Sequence, residues 1–341
     1  MQKTKPRIAI TLGDPNGIGP EVTLKSLQDS RLLKYVDPVL IGGGEILRIH
    51  QEKLELYDVK LDVVNDISHA STDEQVITVL DVANGEAASV EYGEITEAGG
   101  ALSMKAVECA VDLCLDNEVD AMVTAPISKE AISMAGYQNK GHSGFIARRT
   151  KSQSHTMMMV SEELRVGLVT EHLPIWDVPK RITKDAIQEK VHILSKTLIN
   201  DFAVDRPRIA ILGLNPHAGD GGLLGREEQD TIMPAIEACC EQGHLVFGPF
   251  PADGFFAVGG FKNYDAILAM YHDQGLIPFK TIAFGHGVNY TAGLPIVRTS
   301  PDHGTAFNIA GKGIASPDSM RSAIYLALDI VRQRNLIKVQ S

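Results

Sequence analysis

Long apolar runs and targeting segments are missing from this sequence. No stretch approaches the roughly 18 consecutive apolar residues that a membrane-spanning helix requires. The basic start, Met1–Arg7, is followed only by the short apolar run Ile8–Leu12, which ends in Gly-Asp-Pro, so we expect no signal peptide. The sequence therefore predicts a cytoplasmic protein without a membrane partner.

Cysteine is also scarce, and its spacing excludes two common kinds of site. The four cysteines are Cys109, Cys114, Cys239 and Cys240, and none forms a Cys-x-x-Cys pair. A zinc ribbon and a thioredoxin-type redox motif both need such pairs. We expect reduced thiols that pack as small apolar side chains.

Positive charge is in deficit. The chain has 32 Lys and Arg against 43 Asp and Glu, for a net charge of −11. This balance argues against nucleic acid or an anionic membrane as the main partner. A negatively charged substrate would need a local basic pocket on such a molecule.

The usual nucleotide-binding motifs are absent. Each of three glycine-rich turns lacks the third glycine of the Rossmann pattern, and its place is taken by Val22, Leu47 or Leu224. The sequence also has no Gly-x-x-x-x-Gly-Lys-Ser/Thr loop. The glycine-rich stretch 219–225 precedes a predicted helix, so it either binds an anion or only shapes the helix entry. Any nicotinamide cofactor must bind in another way.

What the sequence does contain is a regular alternation of apolar runs and helical patterns. This alternation predicts βαβ units and a mostly parallel sheet. A length of 341 residues suggests two domains, and since no linker or repeat separates them, we expect them to be interleaved. The predicted strands are 7–12, 38–41, 76–82, 121–124, 156–160, 166–170, 208–214, 245–247 and 266–270. The predicted helices are 20–30, 96–115, 184–198, 227–240 and 320–332.

Three histidines share a context that separates them from the others. His172, His217 and His272 each follow a strand-like run and have Pro or Gly nearby. Imidazole is the commonest metal ligand, and catalytic metal sites typically use about three protein ligands. Loops at the carboxyl ends of parallel strands hold such sites in α/β proteins. The pattern favours one divalent metal site, with zinc before cobalt or manganese. The alternative is three unrelated polar residues.

A second group of polar residues falls within residues 265–305. Lys280, Asn289 and Arg298 each lie in a segment marked by Gly or Pro. Lysine and arginine beside a metal suit a phosphate or a carboxylate. Taken singly, the lysine is more typical of a surface residue and the arginine of a structural one, but the density of such residues here favours a substrate site.

Three aspartates are candidate catalytic carboxylates. Asp253, Asp273 and Asp302 lie in or beside these same motifs. Each is also typical of a helix N-cap or a turn, so the pattern leaves both interpretations open.

Five long motifs resemble the 4-hydroxythreonine-4-phosphate dehydrogenase family of vitamin B6 biosynthesis. They are Ile-Thr-Leu-Gly-Asp-Pro-Asn-Gly-Ile-Gly-Pro-Glu (10–21), Thr-Ala-Pro-Ile-Ser-Lys-Glu (124–130), Asn-Pro-His-Ala-Gly (215–219), Ala-Met-Tyr-His-Asp-Gln-Gly (269–275) and Thr-Ala-Gly-Leu-Pro (291–295). The resemblance runs from Ile8 to the final helix. The stretch 303–317 is also similar to the adenosine-binding segment of isocitrate and isopropylmalate dehydrogenases.

The resemblance implies a fold and an assembly. It implies an α/β fold of two interleaved α/β/α domains of the isocitrate/isopropylmalate dehydrogenase type, with non-Rossmann NAD binding. We expect one domain to comprise residues 1–125 and 299–341, and a central domain with dimer contacts to comprise residues 126–298, with the active site in the cleft between them. The implied assembly is a homodimer that shares its active sites.

The resemblance also implies a reaction and its residues. NAD or NADP would accept a hydride from the secondary hydroxyl of a 4-phosphorylated β-hydroxy acid, best matched by 4-hydroxythreonine 4-phosphate, and decarboxylation would follow. A divalent metal (zinc, cobalt, magnesium or manganese) would be held by the three histidines. The implied substrate contacts are His142, Ser143, Lys280, Asn289 and Arg298. The cofactor residues are Asp302, Gly304, Thr305 and Asn308, and the proton-transfer candidates are Asp253 and Lys280.

Two positions depart from the family pattern. The family usually has Gly-His-Thr-Glu where this chain has Gly-His-Ser-Gly, with Gly144 as the last residue. It usually has Pro-Ala-Asp-Thr where this chain has Pro-Ala-Asp-Gly, with Gly254 as the last residue. Both changes remove polar groups near the expected substrate. The alternatives are therefore 4-phosphothreonate, 4-phosphoerythronate or an aromatic dihydrodiol carboxylate as substrate.

Two other classes of function compete with a dehydrogenase. A metal-dependent hydrolase or aldolase would use the same three histidines without NAD, although the 303–317 segment argues against it. A protein that kept the fold for binding alone is disfavoured, because the ligand histidines and the polar group are all present.

Overall fold

The chain folds into two compact units, each made from separate stretches of sequence. The computed structural model describes residues 5–73, 75–83, 89–138 and 141–340. Unit 1 comprises Met1–Ser152 and Pro295–Val331, and unit 2 comprises Gln153–Leu294 and Arg332–Ser341. The units change over between residues 152 and 153, between 294 and 295, and between 331 and 332, whereas the predicted boundaries lie at 125/126 and 298/299. The chain is therefore interleaved.

Unit 1 contains a wholly parallel sheet. Its strands are β1 (Arg7–Thr11), β2 (Asp37–Gly42), β3 (Lys60–Val64), β4 (Val76–Asp81), β5 (Ala121–Thr124) and β12 (Arg298–Pro301). They lie in the order β3-β4-β2-β1-β5-β12, and every neighbouring pair is parallel. The central strands are apolar and fully buried, which is typical of parallel sheets covered on both faces.

Helices follow the strands of unit 1. They are α1 (Gly19–Leu27), α2 (Gly44–Leu54), α3 (Glu97–Leu115), α4 (Lys129–Met134) and α5 (His142–Arg149), and the last helix of the chain is α11 (Asp318–Gln340). Thr96 caps α3, because its side chain accepts a hydrogen bond from the Gly99 N–H. Helix α4 approaches α3 closely at Gly100, where an added β-carbon would lie 2.1 Å from the Ala131 carbonyl oxygen.

Unit 2 contains a mixed sheet. Its strands are β6 (Thr156–Val160), β7 (Arg165–Leu168), β8 (Arg208–Leu212), β9 (Leu245–Phe250), β10 (Ala266–Ala269) and β11 (Val288–Ala292). They lie in the order β11-β6-β7-β10-β8-β9. Strand β6 is antiparallel to both β11 and β7, whereas β7, β10, β8 and β9 are mutually parallel. The carboxyl ends of these four consecutive parallel strands therefore lie at the same edge of the sheet.

The helices of unit 2 are α6 (Val178–Arg181), α7 (Lys184–Phe202), α8 (Met233–Glu241), α9 (Ala252–Ala257) and α10 (His272–Ile282). Of these, α9 and α10 carry predicted site residues. A π-helical turn, Glu228–Ile232, leads directly into α8. Apolar side chains from β7, β8 and β10, among them Val166 and Ala210, form a core beneath α10. Phe279 of α10 packs into this core. In the part of the chain that the structure describes, no helix is long and apolar enough to cross a membrane.

The elements predicted from hydrophobic pattern are found, with shifted ends. Strands β5 and β6 match their predicted bounds, α7 begins where it was expected and α3 ends where it was expected. The helix predicted over 227–240 is wrong in one respect, since its first turn is π-helical. The pattern did not predict β3, β11, β12 or the helices α2, α4, α5, α6, α9 and α10.

Candidate active site

The three predicted metal ligands follow three adjacent parallel strands of unit 2. His172 follows β7, His272 follows β10 and His217 follows β8, and these strands lie side by side in that order. Backbone bonds join the strand ends, because the Thr170 N–H donates to the Met270 carbonyl at 3.2 Å. The topology therefore delivers all three histidines to the same carboxyl edge, as expected for a site in an α/β fold.

Two of the three histidines lie against each other. The ring centroids of His172 and His272 are 5.6 Å apart, with a 44° angle between the ring planes. His272 Nδ1 lies 2.7 Å from Asp273 Oδ1, and such a carboxylate fixes the tautomer of an imidazole and leaves the other nitrogen available as a ligand. His272 was expected in a loop, but it is the first residue of α10.

The third histidine lies in a turn with unusual backbone angles. His217, Ala218 and Asp220 all have positive φ, of 53°, 51° and 44°. This backbone conformation costs conformational free energy in non-glycine residues, so it persists only where the surrounding structure imposes it. Glu228 provides much of that restraint, because its Oε1 accepts hydrogen bonds from the backbone N–H groups of Leu214 and Asn215 at 2.8 and 2.7 Å.

The chemistry of the histidines fits a divalent metal, although the described residues do not bring three ligands together. Within residues 5–73, 75–83, 89–138 and 141–340, no group of three or more His, Cys, Asp or Glu side chains is placed to hold a metal ion. The structure brings His172 and His272 together and keeps His217 on the neighbouring loop. Binding of one metal by all three histidines therefore stays a prediction, and the contact between His172 and His272 supports two of the three positions.

Unit 1 holds a buried cation beside a second predicted substrate residue. Arg298, at the start of β12, is 2% exposed, and its Nε and Nη2 donate to Thr124 Oγ1 at 3.1 and 2.7 Å. Burial lowers the pKa of Arg298 to about 10, so the guanidinium is still charged at neutral pH. His142 begins α5, and its buried Nε2 has no hydrogen-bond partner among the described residues. Burial, and then the charge of Arg298, hold the pKa of His142 well below its ordinary value.

The remaining predicted residues are divided between the units. Lys280 lies on α10 and Asp253 in the first turn of α9, both exposed. Asn289 lies on β11, where its buried Oδ1 has no partner in the described part of the chain. These three belong to unit 2, whereas His142, Ser143 and Arg298 belong to unit 1.

The predicted cofactor segment begins at the carboxyl end of β12 in unit 1. The Asp302 N–H donates to Ser319 Oγ at 3.1 Å, and Ser319 Oγ lies 3.4 Å from Asp302 Oδ1, so Asp302 contacts the first turn of α11. Gly304 is exposed, with open space where a side chain would be, whereas the Thr305 carbonyl accepts from the Ile18 N–H at 3.0 Å. Asn308 is exposed in a short 3₁₀ turn. The segment is thus tied to the first loop of the chain and open on one side.

The two glycines that depart from the family pattern have room around them. An added β-carbon at Gly144 or at Gly254 would meet nothing within 4 Å. Neither position has positive φ, so neither needs glycine for its backbone. Their effect is to leave space where larger side chains would fit.

Sequence reasoning missed three residues that shape these sites. Glu228 is buried beneath the His217 turn, and Gln274 links two strand ends by accepting from the Met270 N–H and donating to the Gly213 carbonyl at 2.7 and 2.6 Å. Asp14 is fully buried in the first loop, and burial raises its pKa to about 6. Gln274 and Asp14 lie in the long motifs 269–275 and 10–21, so those motifs were their only signal.

Comparison with known proteins assigns a family. The profile of the family described as pyridoxal phosphate biosynthetic protein PdxA matches residues 34–327. A 4-hydroxythreonine-4-phosphate dehydrogenase of Bacteroides thetaiotaomicron is 44% identical over 98% of this chain and 91% of its own length. A putative D-threonate 4-phosphate dehydrogenase of Cutibacterium acnes is 38% identical over 97% of this chain and 95% of its own length.

Solved structures agree with this assignment. The crystal structure of a 4-hydroxythreonine-4-phosphate dehydrogenase from Klebsiella pneumoniae is 36% identical, covers 97% of this chain and 99% of its own, and has a TM-score of 0.86. A terephthalate 1,2-cis-dihydrodiol dehydrogenase from Burkholderia xenovorans is 28% identical, with a TM-score of 0.64, and covers 96% of this chain and 98% of its own. Isocitrate dehydrogenase from Methylococcus capsulatus, at 13% identity, a TM-score of 0.51 and coverage of 98% and 88%, shares the fold alone. The expected isocitrate dehydrogenase-like fold is confirmed.

Proposed function

Because this chain belongs to the pyridoxal phosphate biosynthetic protein PdxA family, we propose that it oxidises the secondary hydroxyl of 4-hydroxythreonine 4-phosphate with NAD or NADP. The β-keto acid formed would then lose carbon dioxide. Several relatives that match nearly the whole chain are dehydrogenases that carry the name of this substrate. The proposal also agrees with the chemistry of the residues at the two sheet edges.

The observation that carries the proposal is the buried arginine in unit 1. Arg298 keeps its charge at neutral pH while it is almost completely shielded from water. Arginine suits the oxygens of a phosphate or a carboxylate, and a cation shielded from water binds such a group strongly. The neutral His142 and the hydroxyl of Ser143 stand at the start of α5 in the same unit. We propose that these three groups, with Lys280 and Asn289, bind the acidic substrate.

The metal ligands in this proposal are His172, His217 and His272. Bound there, a divalent metal would lower the pKa of the substrate hydroxyl and stabilise the enolate that decarboxylation leaves. The paired rings of His172 and His272 support two of the three positions. Since the described residues of one chain complete no such set, we propose that the site is shared in a homodimer, with His217 given by a second copy.

The cofactor residues in this proposal lie after β12. Asp302, Gly304, Thr305 and Asn308 would hold NAD or NADP, whose nicotinamide accepts the hydride. Exposure of Gly304 and Asn308 supports this placement. The proton of the hydroxyl would pass to Asp253 or Lys280, both of which are exposed side chains of unit 2, and proton transfer of this kind needs a group within hydrogen-bond reach of the substrate.

The main alternative is a different acidic substrate for the same chemistry. Gly144 and Gly254 leave open space where the family usually has glutamate and threonine. A relative with almost full coverage is named for D-threonate 4-phosphate, and a more distant one for an aromatic dihydrodiol. These observations favour 4-phosphothreonate or 4-phosphoerythronate as the second candidate, ahead of an aromatic substrate.

A substrate panel tests the proposal. Metal-loaded protein is mixed with NAD or NADP and one of four compounds, and absorbance at 340 nm reports reduction. The compounds are 4-hydroxythreonine 4-phosphate, 4-phosphothreonate, 4-phosphoerythronate and the unphosphorylated hydroxythreonine. We expect the highest kcat/KM with the first compound and a large loss without phosphate. Equal rates with and without phosphate would contradict a phosphorylated substrate.

Subunit mixing tests the shared metal site. His172→Ala and His217→Ala proteins should each bind little metal alone. If the two histidines come from different chains, half the sites of a mixed dimer are intact, so random re-association should restore about one quarter of the metal. If one chain supplies all three ligands, mixing restores nothing. His192→Ala, on the exposed face of α7, is the matched control and should keep full metal binding.

A further inference from the structure

A buried ion pair in unit 1 holds the turn formed by residues 311–315. Glu21 and Lys25 face each other one turn apart on α1, with Lys25 Nζ 2.7 Å from Glu21 Oε1. The Glu21 side chain is 0% exposed and that of Lys25 is 19% exposed. Charges that deep are costly unless each is paired and hydrogen-bonded, and Glu21 Oε2 is buried without a hydrogen-bond partner among the described residues.

Both charges make further bonds to the backbone of the turn. Lys25 Nζ donates to the carbonyl oxygens of Gly313 and Ala315 at 2.8 and 2.9 Å. Glu21 Oε1 accepts from the Ala315 N–H at 2.9 Å. The pair therefore fixes the turn through three bonds, two to carbonyls and one to an amide. Helix α1 also contacts the chain just beyond the turn, because Ser26 Oγ donates to the Pro317 carbonyl at 3.3 Å.

The opposite side of the turn is constrained by its glycine backbone and by an aromatic ring. Gly311 and Gly313 both have positive φ, which glycine adopts without strain. An added β-carbon at Gly311 would lie 2.7 Å from the ring of Tyr92. Tyr92 in turn makes an edge contact with the ring of His50 at 5.1 Å between centroids. The turn is thus held on one side by aromatic packing and on the other by the ion pair.

The outer face of the turn is open to solvent and exposes Lys312, Gly313 and Ile314. Ile314 is 66% exposed, although its two neighbours are bonded to Lys25. The position of Ile314 adds no stability to the free protein, because an apolar side chain in solvent gains no burial. A ligand with a flat apolar face, such as the base of a nucleotide, would cover that side chain.

We propose that Glu21 and Lys25 are positioning residues that fix the 311–315 turn so that it receives the nucleotide end of the cofactor. This inference rests on the proposed use of NAD or NADP. Neither side chain touches the cofactor in this account. They act by keeping the turn in the one conformation that binds, and a turn that is competent for only part of the time weakens apparent affinity by that fraction.

The effect on the free protein comes first, and it needs no cofactor. Hydrogen exchange of the Ala315 amide is measured in the wild type and in the double variant Glu21→Gln/Lys25→Met, which removes both charges together and leaves neither unpaired. We expect exchange at Ala315 to become at least about tenfold faster. Arg48→Met removes an exposed ion pair with Glu45 on α2 and is the matched control, with no change expected at Ala315.

Binding of the cofactor is then titrated with the same proteins. We expect the Kd for NAD or NADP to rise about tenfold in the double variant, equivalent to about 1.4 kcal/mol, whereas Arg48→Met keeps the wild-type value. In turnover, KM for the cofactor should rise and kcat should stay close to the wild type. Should the double variant not fold, Glu21→Gln alone, which keeps an acceptor for the Ala315 N–H, should give a smaller rise of the same kind.

The outcomes separate this inference from the proposed function. If the wild type binds neither NAD nor NADP, both fail together. If it binds the cofactor, and the variants bind equally well despite faster exchange at Ala315, the proposed function stands and the positioning role is wrong. Unchanged exchange at Ala315 would also overturn it.

Discussion

Asp14 is a buried carboxyl whose pKa predicts how stability depends on pH. Burial raises its pKa from 3.8 to about 6, so between these values the folded state binds more protons than the unfolded state. Stability from this group is therefore present below pH 3.8 and falls as pH rises to about 6. Asp14→Asn keeps the acceptor for the Asn16 N–H and should be more stable than the wild type above pH 6 by at most about 3 kcal/mol.

Urea denaturation at intervals from pH 4 to pH 7 checks this expectation. The advantage of Asp14→Asn should be small at pH 4 and grow until about pH 6. Asp29→Asn is the control, since Arg31 lowers the pKa of Asp29 to about 2 and its titration lies outside this range. A difference that does not vary with pH would mean that Asp14 is already ionised in the fold.

At the scale of single residues, the sequence predicted the site residues better than it predicted the residues that hold them in place. The shared context of His172, His217 and His272 predicted that all three meet in one site, and the structure pairs the rings of His172 and His272. The restraint on His217 by Glu228 was not predictable, because it joins a strand end to a π-helical turn and leaves no local pattern. The roles given to these residues stay predictions.

Glycine at the contact between α3 and α4 sets how closely these helices pack. A β-carbon at Gly100 would lie 2.1 Å from a backbone oxygen of α4, so Gly100→Ala should push the helices apart and cost about 1–3 kcal/mol. Gly144→Ala is the matched control in α5, where space is open, and should stabilise by up to about 1 kcal/mol. Thermal unfolding measures both. A gain in stability for Gly100→Ala would contradict the packing described here.

A buried network in unit 2 secures the end of α11. Arg334 donates to Asp201 Oδ1 at 2.7 Å, and the hydroxyl of Tyr290 donates to Asp201 Oδ2 at 2.5 Å. Tyr290→Phe removes the hydroxyl from a fully buried site and should cost about 1–3 kcal/mol. Tyr57→Phe, an exposed tyrosine, should cost nothing measurable. Equal midpoints in urea for both variants would show that the network adds no stability.

Hydrophobic pattern predicted those elements whose sequence matches their environment. The fully buried strands β5 and β6 were found because continuous apolar runs identify them. Helix α10 was missed because Pro278 and Gly275 lie inside it, and both residues disfavour a helix. Its helical form comes from tertiary packing on β7 and β10, where Gly275 lets the backbone approach Val166.

The proposed dimer can be followed through the single tryptophan. Trp176 is 70% exposed in the chain, and Phe284, also in unit 2, is 87% exposed. Large exposed apolar side chains of this kind mark interaction surfaces. If the dimer covers Trp176, its fluorescence should shift to the red on dilution as the mass found by sedimentation falls from two chains to one. A single-chain mass at every concentration would contradict the dimer.

At the scale of the whole molecule, sequence predicted interleaving but not where the units divide. Interleaving followed from the missing linker and was found. The boundaries depend on contacts between distant segments, which composition does not record. Residues 126–152 were placed with the central domain but pack in unit 1, where α4 lies against α3.

The most direct test of the central claim is metal-dependent reduction of the cofactor by one preparation. Protein treated with a chelator is mixed with 4-hydroxythreonine 4-phosphate and NAD or NADP, and absorbance at 340 nm is followed before and after a divalent metal is restored. We expect little reduction before and full activity after, with none restored in His172→Ala or His272→Ala. Full activity in the metal-free protein, or none with either cofactor once metal is bound, would contradict the account.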